Sequence, residues 1–434
     1  MKWEETTLGE IITANDGFIQ TGPFGSQLHV SDYKEIGIPV VMPINIKDGK
    51  INLTDIKRIS DRKVDELNRH KLQPGEIVYS RRGDLERHAL VTNREKGWLC
   101  GTGCLKINIG KSKVYPPFLS YYLMQAHIRS WIINNAVGTT MLNLNSTILN
   151  NLPLTLPPLP EQKAIAAILG ALDDKIDLNR RMNHTLEETA RALFKSWFVD
   201  FDPVVAKAAG RRPFGMDAET AQLFPDSFED SKLGMIPKGW RTGSANDLAE
   251  YINGKNFTKD SRSKGLIVIR IAELNNGIGS STKFNDVRAE PENIAFPDDI
   301  LFAWSGSLGI YRWHWKKALI NQHIFKVIPK DYPKWFVYYQ LLSILPHFQN
   351  IAAGKAVTMG HIKRSHLDEK ILILPNEKKI IREADLFMNE IFSMMHRNEM
   401  ENTTLTQTRD LLLPKLISGE IPVAQAAARV KEAL

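Results

Sequence analysis

The stretch EQKAIAAILGALDDKIDLNRRMNHTLEETARALFKSWF, residues 161–198, decides the architecture. Along it Ile165, Leu169, Leu172, Ile176, Asn179, Asn183, Leu186, Ala190, Leu193 and Trp197 step by alternating four and three. An a/d seam kept this long belongs on a helix that packs against another helix. Pro157, Pro158 and Pro160 stop the chain before it and Glu161 occupies its first turn, so a helix is expected from about 161 to 198. At about 1.5 Å per residue it is roughly 57 Å long, more than a globular domain of this size needs, and it reads as a spacer. A second run, IIREADLFMNEIFSMMHRNEMENTTLTQTRDLLLPKLI at residues 380–417, repeats the seam as Ala384, Met388, Ile391, Met395, Asn398, Asn402, Leu405, Arg409, Leu412 and Leu416. Placing polar opposite polar in an antiparallel pair sets Asn179 against Asn402 and Asn183 against Asn398, with large Trp197 against small Ala384. Only Leu172 against Arg409 fits poorly. Buried asparagines cost stability but penalise slipped registers, which would fix the distance between whatever the helices separate; the alternative is that they lie at a solvated edge.

Outward from the helices the chain repeats once. Gly37-Ile-Pro-Val-Val-Met-Pro-Ile-Asn-Ile-Lys-Asp-Gly49 lies over Gly265-Leu-Ile-Val-Ile-Arg-Ile-Ala-Glu-Leu-Asn-Asn-Gly277, a buried-strand run ending in turn chemistry. Leu72–Tyr79 lies over Ala295–Phe302, each followed by a glycine, Gly83 or Gly306; Tyr115–Tyr122 answers Tyr332–Tyr339, and Leu154–Pro157 answers Leu372–Pro375. The expected class is therefore α+β: two domains of similar fold joined by two long helices in an antiparallel coiled coil, with a pseudo-two-fold internal repeat. The boundaries read as domain 1 at 1–157, helix 1 at 158–200, linker at 201–238, domain 2 at 239–375, helix 2 at 376–420 and a C-terminal tail at 421–434. With Asp202-Pro203, Arg212-Pro-Phe-Gly215, Pro225, Gly234, Pro237 and Gly239, the linker reads as an irregular connection.

A chain of 434 residues with 43% hydrophobic and 24% charged residues is a soluble globular protein of more than one domain, not a collagen-like, mucin-like or disordered chain. The net charge of +7 is unevenly spread. Residues 1–160 hold 19 Lys+Arg against 15 Asp+Glu, and 236–376 hold 19 against 12, whereas 161–235 and 377–434 are mildly acidic. Basic domains alternating with acidic helices suggest that the domains meet a polyanion, ordinary solvation being the alternative. Cys100 and Cys104 cannot form a disulfide framework or a four-ligand zinc site and fit a reducing cytoplasm. No apolar stretch reaches the roughly 18 residues of a membrane span, and the acidic N-terminus lacks a signal-peptide core.

Catalytic chemistry is not found. An amino-methyltransferase loop needs Asn, Asp or Ser before Pro-Pro-aromatic. Tyr115-Pro-Pro-Phe118 offers neither amide nor carboxylate, and its counterpart Tyr332-Pro-Lys-Trp335 loses the motif, so a turn before a helix is expected. A phosphate-cradling G-x-x-x-x-G-K-[ST] loop is missing too. Pro297-Asp298-Asp299 lacks a following acidic-x-Lys triplet and opposes Gly75 in the repeat, which favours a strand-opening turn over a nuclease pair.

Several segments together resemble the specificity (S) subunit of Type I restriction-modification systems: Leu156-Pro-Pro-Leu-Pro-Glu-Gln-Lys163, Leu193-Phe-Lys-Ser-Trp-Phe-Val-Asp-Phe-Asp-Pro203, Phe224-Pro-Asp-Ser-Phe228, Ile236-Pro-Lys-Gly-Trp240 and Leu413-Pro-Lys-Leu-Ile-Ser-Gly-Glu-Ile421. The resemblance covers nearly the whole chain, although the second junction reads Leu374-Pro-Asn-Glu-Lys-Lys379 where the first has Pro-Pro-Leu-Pro-Glu-Gln-Lys. It implies two target-recognition domains, each reading one half of a bipartite site in double-stranded DNA. It also implies that the helices dock two DNA methyltransferase subunits, that restriction/translocase subunits join the larger complex, and that this chain has no catalytic centre. S-adenosylmethionine, and ATP with Mg for restriction, would bind the partners; no cofactor, metal or membrane is expected for this chain.

Contacts to DNA are then expected from the basic domains. In domain 1 these are the loop with Gly22, Phe24 and Ser26, the strand end with Ser80, Arg81, Arg82, Arg87 and His88, and the stretch with Thr139, Thr140 and Asn145. An arginine fork can bind guanine bidentately or hold phosphate, while pairing with Asp84 and Glu86 is the bland alternative; for Asn145 the alternative is helix capping. In domain 2 the aligned positions are Trp304, Ser305, Ser307, Tyr311 and Arg312, together with Lys255 and the run carrying Lys355, Thr358, His361, Lys363 and Arg364. Unlike side chains at matching loops predict unlike half-sites.

Overall fold

The turns that open the repeated strands show why the repeat works. Gly75 precedes the strand Ile77–Ser80 with φ +89°, and Asp298 precedes Asp299–Ala303 with φ +72°, so both chains enter the sheet through left-handed backbone. Gly83 and Gly306 leave those strands with φ of +76° and +68°. This computed structural model describes residues 3–138, 142–259, 261–279, 281–354 and 360–433. Contacts divide the chain into two compact units, Met1–Lys175 with Leu405–Leu434, and Ile176–Thr404.

Each unit holds one head. In the first, an antiparallel sheet runs Phe18–Thr21, Cys104–Asn108, Ile77–Ser80, His88–Leu90. In the second, the same order is Ala249–Asn253, Ile324–Pro329, Asp299–Ala303, Gly309–Trp313. A second four-stranded sheet in each head carries one parallel pair, Ile38–Val41 with Leu99–Cys100 and Leu266–Ile269 with Ala318–Ile320. Strands Glu4–Thr7 with Pro153–Leu156, and Trp240–Gly243 with Leu372–Pro375, close the heads. Sheets covered on one face by helices and on the other by the second sheet leave Val78, Leu105, Ile300 and Phe302 fully buried. Cys100 and Cys104 are buried free thiols whose pKa values burial pushes up.

The long helices span Leu159–Phe198 and Lys379–Ile417. Within the second unit they run antiparallel. Asn179 Nδ2 donates to Asn402 Oδ1 at 3.1 Å, and Asn398 Nδ2 donates to Asn183 Oδ1 at 2.8 Å, while Glu401 and Glu399 accept further bonds from Asn179 and Asn183. Asn179, Asn398 and Asn402 are buried and Asn183 is half-buried, so the layer lies inside the seam with one amide toward its edge. Below it, aromatic side chains bind head to helix: Phe198 meets Phe336 at 5.2 Å and Trp335 at 6.2 Å, and Phe194 meets Tyr339 at 5.6 Å. Each such pair adds about 0.5–1.5 kcal/mol beyond its buried area. In the first unit Arg409, which fits poorly against Leu172, instead turns to Asp173 at 2.7 Å, and Asp173 also accepts from Tyr121 Oη at 2.6 Å.

The two helix junctions are held differently. Buried Gln162 accepts from the Tyr115 N–H at 2.8 Å and donates to the Pro157 and Lys113 carbonyls. At the second junction Trp335 Nε1 donates to Asp385 at 2.6 Å and Lys378 lies over the Tyr332 ring. The linker, expected to be irregular, is largely ordered: helices Asp202–Ala208 and Ala218–Leu223 are followed by the hairpin Phe228–Ser231 with Gly234–Pro237. Its breakers are starts and turns rather than disorder, for Pro203 sits in a first helical turn and Gly234 takes φ +92° at the hairpin. Within the tail lies a helix, Val423–Ala433.

Candidate nucleic-acid interface

Backbone hydrogen bonds gather the expected loops of the first head at one end of its antiparallel sheet. The turn Gly101–Cys104 is the hub. Cys104 O accepts from the Gly22 N–H and Gly103 O from the Arg81 N–H, both at 2.9 Å, and Thr102 Oγ1 donates to Pro23 O at 3.1 Å. Arg81 O in turn accepts from Leu144 N–H at 2.9 Å, and Arg82 bridges Asn143. Gly22 must be glycine because a Cβ there would stand 2.0 Å from Gly101 O; its N–H is already used, so it shapes the loop and cannot offer that donor to phosphate. Phe24 and Ser26 are exposed.

Around the arginines the side chains divide sharply. Arg87 pairs with Asp84 at 2.8 Å and Arg129 with Glu86 at 3.5 Å. Among the described residues Arg81 makes only a 3.5 Å bond to Asn143 Oδ1, and its Nε is buried with no partner. Burial, then the neighbouring Arg82, lower its pKa. Two expected contacts lie inside instead: Ser80 is buried and its hydroxyl donates to Arg82 O, and His88 is buried, stacked on Tyr79 at 5.3 Å. His88 Nε2–H donates to Ser120 O at 2.8 Å, and burial lowers its pKa to about 4. It belongs to the core because its strand alternation turns it away from the turn's outer side. Asn145 caps the helix Ser146–Asn150 by accepting from Ile148 N–H at 2.9 Å, so its carbonyl oxygen is occupied. Thr139 and Thr140 lie outside the described residues.

The second head builds the same frame from different residues. Gly254 N–H donates to Ile324 O at 2.9 Å, Trp304 N–H to His323 O at 3.2 Å, and Ile362 N–H to Trp304 O at 3.1 Å, while Ser305 bridges His361. These bonds match those of Gly22, Arg81, Leu144 and Arg82 one for one. Gly254 is glycine for the same reason as Gly22, since a Cβ would meet Asn321 O at 2.3 Å. Trp304 occupies the place of Arg81. Its Nε1–H donates to Asn253 Oδ1 at 2.9 Å and its ring stacks on Phe325 at 5.6 Å, so the half-buried indole is fixed in place with its one N–H spent. Ser305 is buried. Ser307, Lys255 and Lys363 are exposed, and Arg364 donates to Tyr251 O at 3.2 Å. His361 meets the edge of Trp304 at 6.5 Å. Lys355 and Thr358 lie outside the described residues.

Arg312 is a correction. Its guanidinium pairs with Asp298 at 2.6 Å, donates to Phe392 O at 2.9 Å and lies 3.4 Å from the Phe392 ring centre, on the second long helix. A side chain this enclosed fastens the head to the helix and does not reach DNA. Tyr311, two strand positions from Gly309, donates to Asn275 Oδ1 at 2.5 Å.

Comparison with known proteins identifies the family. The "Type I restriction modification DNA specificity domain" matches residues 1–188 and 237–407, one copy for each head and its helix. The chain belongs to this family. Similar proteins are the Type I restriction enzyme HindI specificity subunit of Haemophilus influenzae, 28% identical over 81% of this chain and 87% of that one, and the MjaIX specificity subunit of Methanocaldococcus jannaschii, 23% identical over 85% and 83%. The crystal structure of a Type I restriction-modification S subunit from M. genitalium shares the fold, with a TM-score of 0.53 over 96% of each chain at 16% identity.

Within this specificity-domain chain the enzyme-like strings have structural uses. Tyr115-Pro-Pro-Phe118 starts the helix Pro116–Leu123, with Tyr115 N–H on Gln162. Asp298 binds Arg312 and Lys334. Sequence reasoning missed Thr102, Asn143, Asn253 and His323, all on the shared frame. Extending the repeat one turn further, from Gly101–Cys104 to Asn321–Ile324, is the signal that finds Thr102 and His323; Asn143 and Asn253 carry no such signal.

Proposed function

We propose that the chain is the DNA-recognition subunit of a Type I restriction-modification complex, each head binding one half of an asymmetric, split site in double-stranded DNA. The observation that carries this reading is the shared frame with unlike contents: one hydrogen-bond scaffold presents Arg81 and Arg82 in the first head, and a packed Trp304 with Lys255 and Lys363 nearby in sequence to the equivalent loops in the second. Two heads so alike in backbone and so unlike in donors read different half-sites. The basic heads suit the phosphate backbone. The long helices dock two methyltransferase (modification) subunits and set the spacer, with Asn179, Asn183, Asn398 and Asn402 fixing their register; restriction/translocase subunits complete the complex. The chain has no catalytic centre of its own, the partners bind S-adenosylmethionine and ATP with Mg, and the complex works in the cytoplasm. Among the described residues, no helix is long and apolar enough to cross a membrane.

The test is to co-express the chain with its methyltransferase subunits and map the methylated bases. The expected motif is asymmetric and interrupted, with half-site centres about one helical turn, roughly 10 base pairs, apart. A continuous or palindromic motif would overturn the reading.

A further inference from the structure

Resting on that DNA-reading function, we propose that Arg81 is the residue through which the first head reads a guanine, its fork meeting O6 and N7 in the major groove, while Arg82 meets the phosphate backbone.

The turn leaves one guanidinium with unspent donors. Of the arginines around this turn, Arg87 and Arg129 are neutralised by Asp84 and Glu86. Arg81 touches no carboxylate among the described residues: its single side-chain bond is the long one to Asn143, and Nε is shut off from solvent without an acceptor. Nε, closed to solvent, is closed to a base too, so the donors left for a ligand with two adjacent acceptors are the terminal nitrogens, of which Nη2 is held only by the long bond to Asn143. Guanine presents such a pair on one edge, and the planar guanidinium matches it bidentately.

Position supports the same assignment. The Arg81 backbone is pinned on both sides, its N–H to Gly103 O and its C=O to Leu144 N–H, each at 2.9 Å. A side chain rooted in this way loses little freedom on binding and holds the angle that base reading demands. Arg82 is exposed and carries no ion pair among the described residues, which suits a phosphate that can be met from many angles. The second head has no fork at this place. Trp304 spends its single N–H on Asn253 and its ring on Phe325, so the second half-site should show no guanine requirement at the equivalent position.

The experiment selects duplexes from a randomised DNA library with the full-length chain and sequences the bound fraction for the native protein and for Arg81→Lys, Arg81→Gln and Arg82→Gln. Native protein should enrich a split motif. Arg81→Lys keeps the charge and stem but loses the fork, and it should reduce preference for guanine at one position of one half about tenfold, leaving the other half intact. Arg82→Gln should weaken binding to all sequences alike with the motif unchanged. Replacing that guanine by 7-deazaguanine removes N7 without touching the protein; it should weaken the native protein more than it weakens Arg81→Lys, whose ammonium can still meet O6, a non-additivity that a misfolded head would not produce. If Arg81→Gln does not fold, Arg81→Lys and the 7-deazaguanine duplex decide. A full motif retained by Arg81→Lys, or a position erased by Arg82→Gln, overturns the assignment alone. Native protein that enriches no split motif overturns the DNA-reading function with it.

Discussion

Lys106 lies 3.3 Å from Glu76 inside the first head, and Lys326 lies 3.0 Å from Asp299 at the equivalent place in the second. Each lysine also donates to a carbonyl at 2.7 Å, Lys71 O or Ile294 O, and stands over a phenylalanine ring, Phe18 or Phe296. The repeat has thus kept the charge pair and its carbonyl acceptor at matching places, deeply buried in the first head and partly buried in the second, while the rings come from different elements and the loops a few residues away have diverged. A pair of this kind adds little net stability, because desolvation offsets attraction; what it does is penalise any arrangement that separates the partners. The heads therefore keep a rigid sheet beneath loops that are free to differ, which is what reading many different sequences from one frame requires.

Removing one partner should expose the cost of the other. Among the described residues Lys106→Met leaves Glu76 with only the Gln73 N–H and Asn108 Nδ2, and is expected to lower unfolding free energy by about 3 kcal/mol. Pairing it with Glu76→Leu should recover most of that loss. Urea unfolding of the single and double variants measures the difference, and equal losses in both would show that packing rather than charge is at stake.

The asparagine layer behaves in the opposite sense. Asn402→Leu removes one of the two acceptors of Asn179, leaving Glu401, and should cost about 1–3 kcal/mol, since a buried amide then faces leucine. Asn179→Leu combined with Asn402→Leu should raise the melting temperature above the single variants while loosening the register. Cysteine cross-links placed one heptad out of register along the two helices report that loosening: they should form in the double variant and not in the native chain.

Much of this was legible in the sequence, and the limits have physical causes. The seam through Asn179 and Asn402 needs only helical periodicity, and Gly75 opposite Asp298 needs only turn chemistry, so the helices, the repeat and its strand-opening turns follow from local rules. The loops are harder. His88 and Arg312 look like surface cations because their types usually are, yet each sits on a strand where alternation decides the face, and the face depends on packing across the head. Lys106 and Glu76 are separated widely in sequence and become partners only when their strands pair. The linker misled because proline and glycine mark helix starts and hairpins as readily as disorder.

Acid should weaken the protein through its buried histidines. Burial, the largest influence on each, lowers the pKa of His88 to about 4 and that of His314 to about 3, the latter aided by Arg312 and His396. Both lie below the ordinary 6.5, so protons bind the unfolded chain first as pH falls. Their stabilising share is whole above about pH 6.5 and is lost progressively below it; for His88 the loss is about 2 kcal/mol by pH 5. Melting temperatures should fall between pH 7 and pH 5, and His88→Phe, whatever its baseline, should flatten that slope. An unchanged slope would mean that His88 is already protonated in the folded head.

Binding to DNA of any sequence should depend on lysines that make no internal ion pair. Lys255 is held by its backbone, N–H to Ile320 O at 3.1 Å, with an exposed side chain on the loop equivalent to Gly22–Ser26; Lys363 is exposed beside the frame residue Ile362. Neither supports the fold through a salt bridge among the described residues, so alanine at either should leave the melting temperature unchanged. If each neutralises one phosphate, it releases about one counterion on binding, and the plot of log affinity against log salt flattens by about 0.9 for each lysine removed. Fluorescence anisotropy on a random-sequence duplex over a salt series reads this directly. Lys255→Ala with Lys363→Ala should lower the slope by about twice that amount and weaken all duplexes equally, in contrast to Arg81→Lys, whose effect is confined to one base pair. A double variant with the native slope would place both lysines off the DNA and leave the backbone contacts of the second head to other residues.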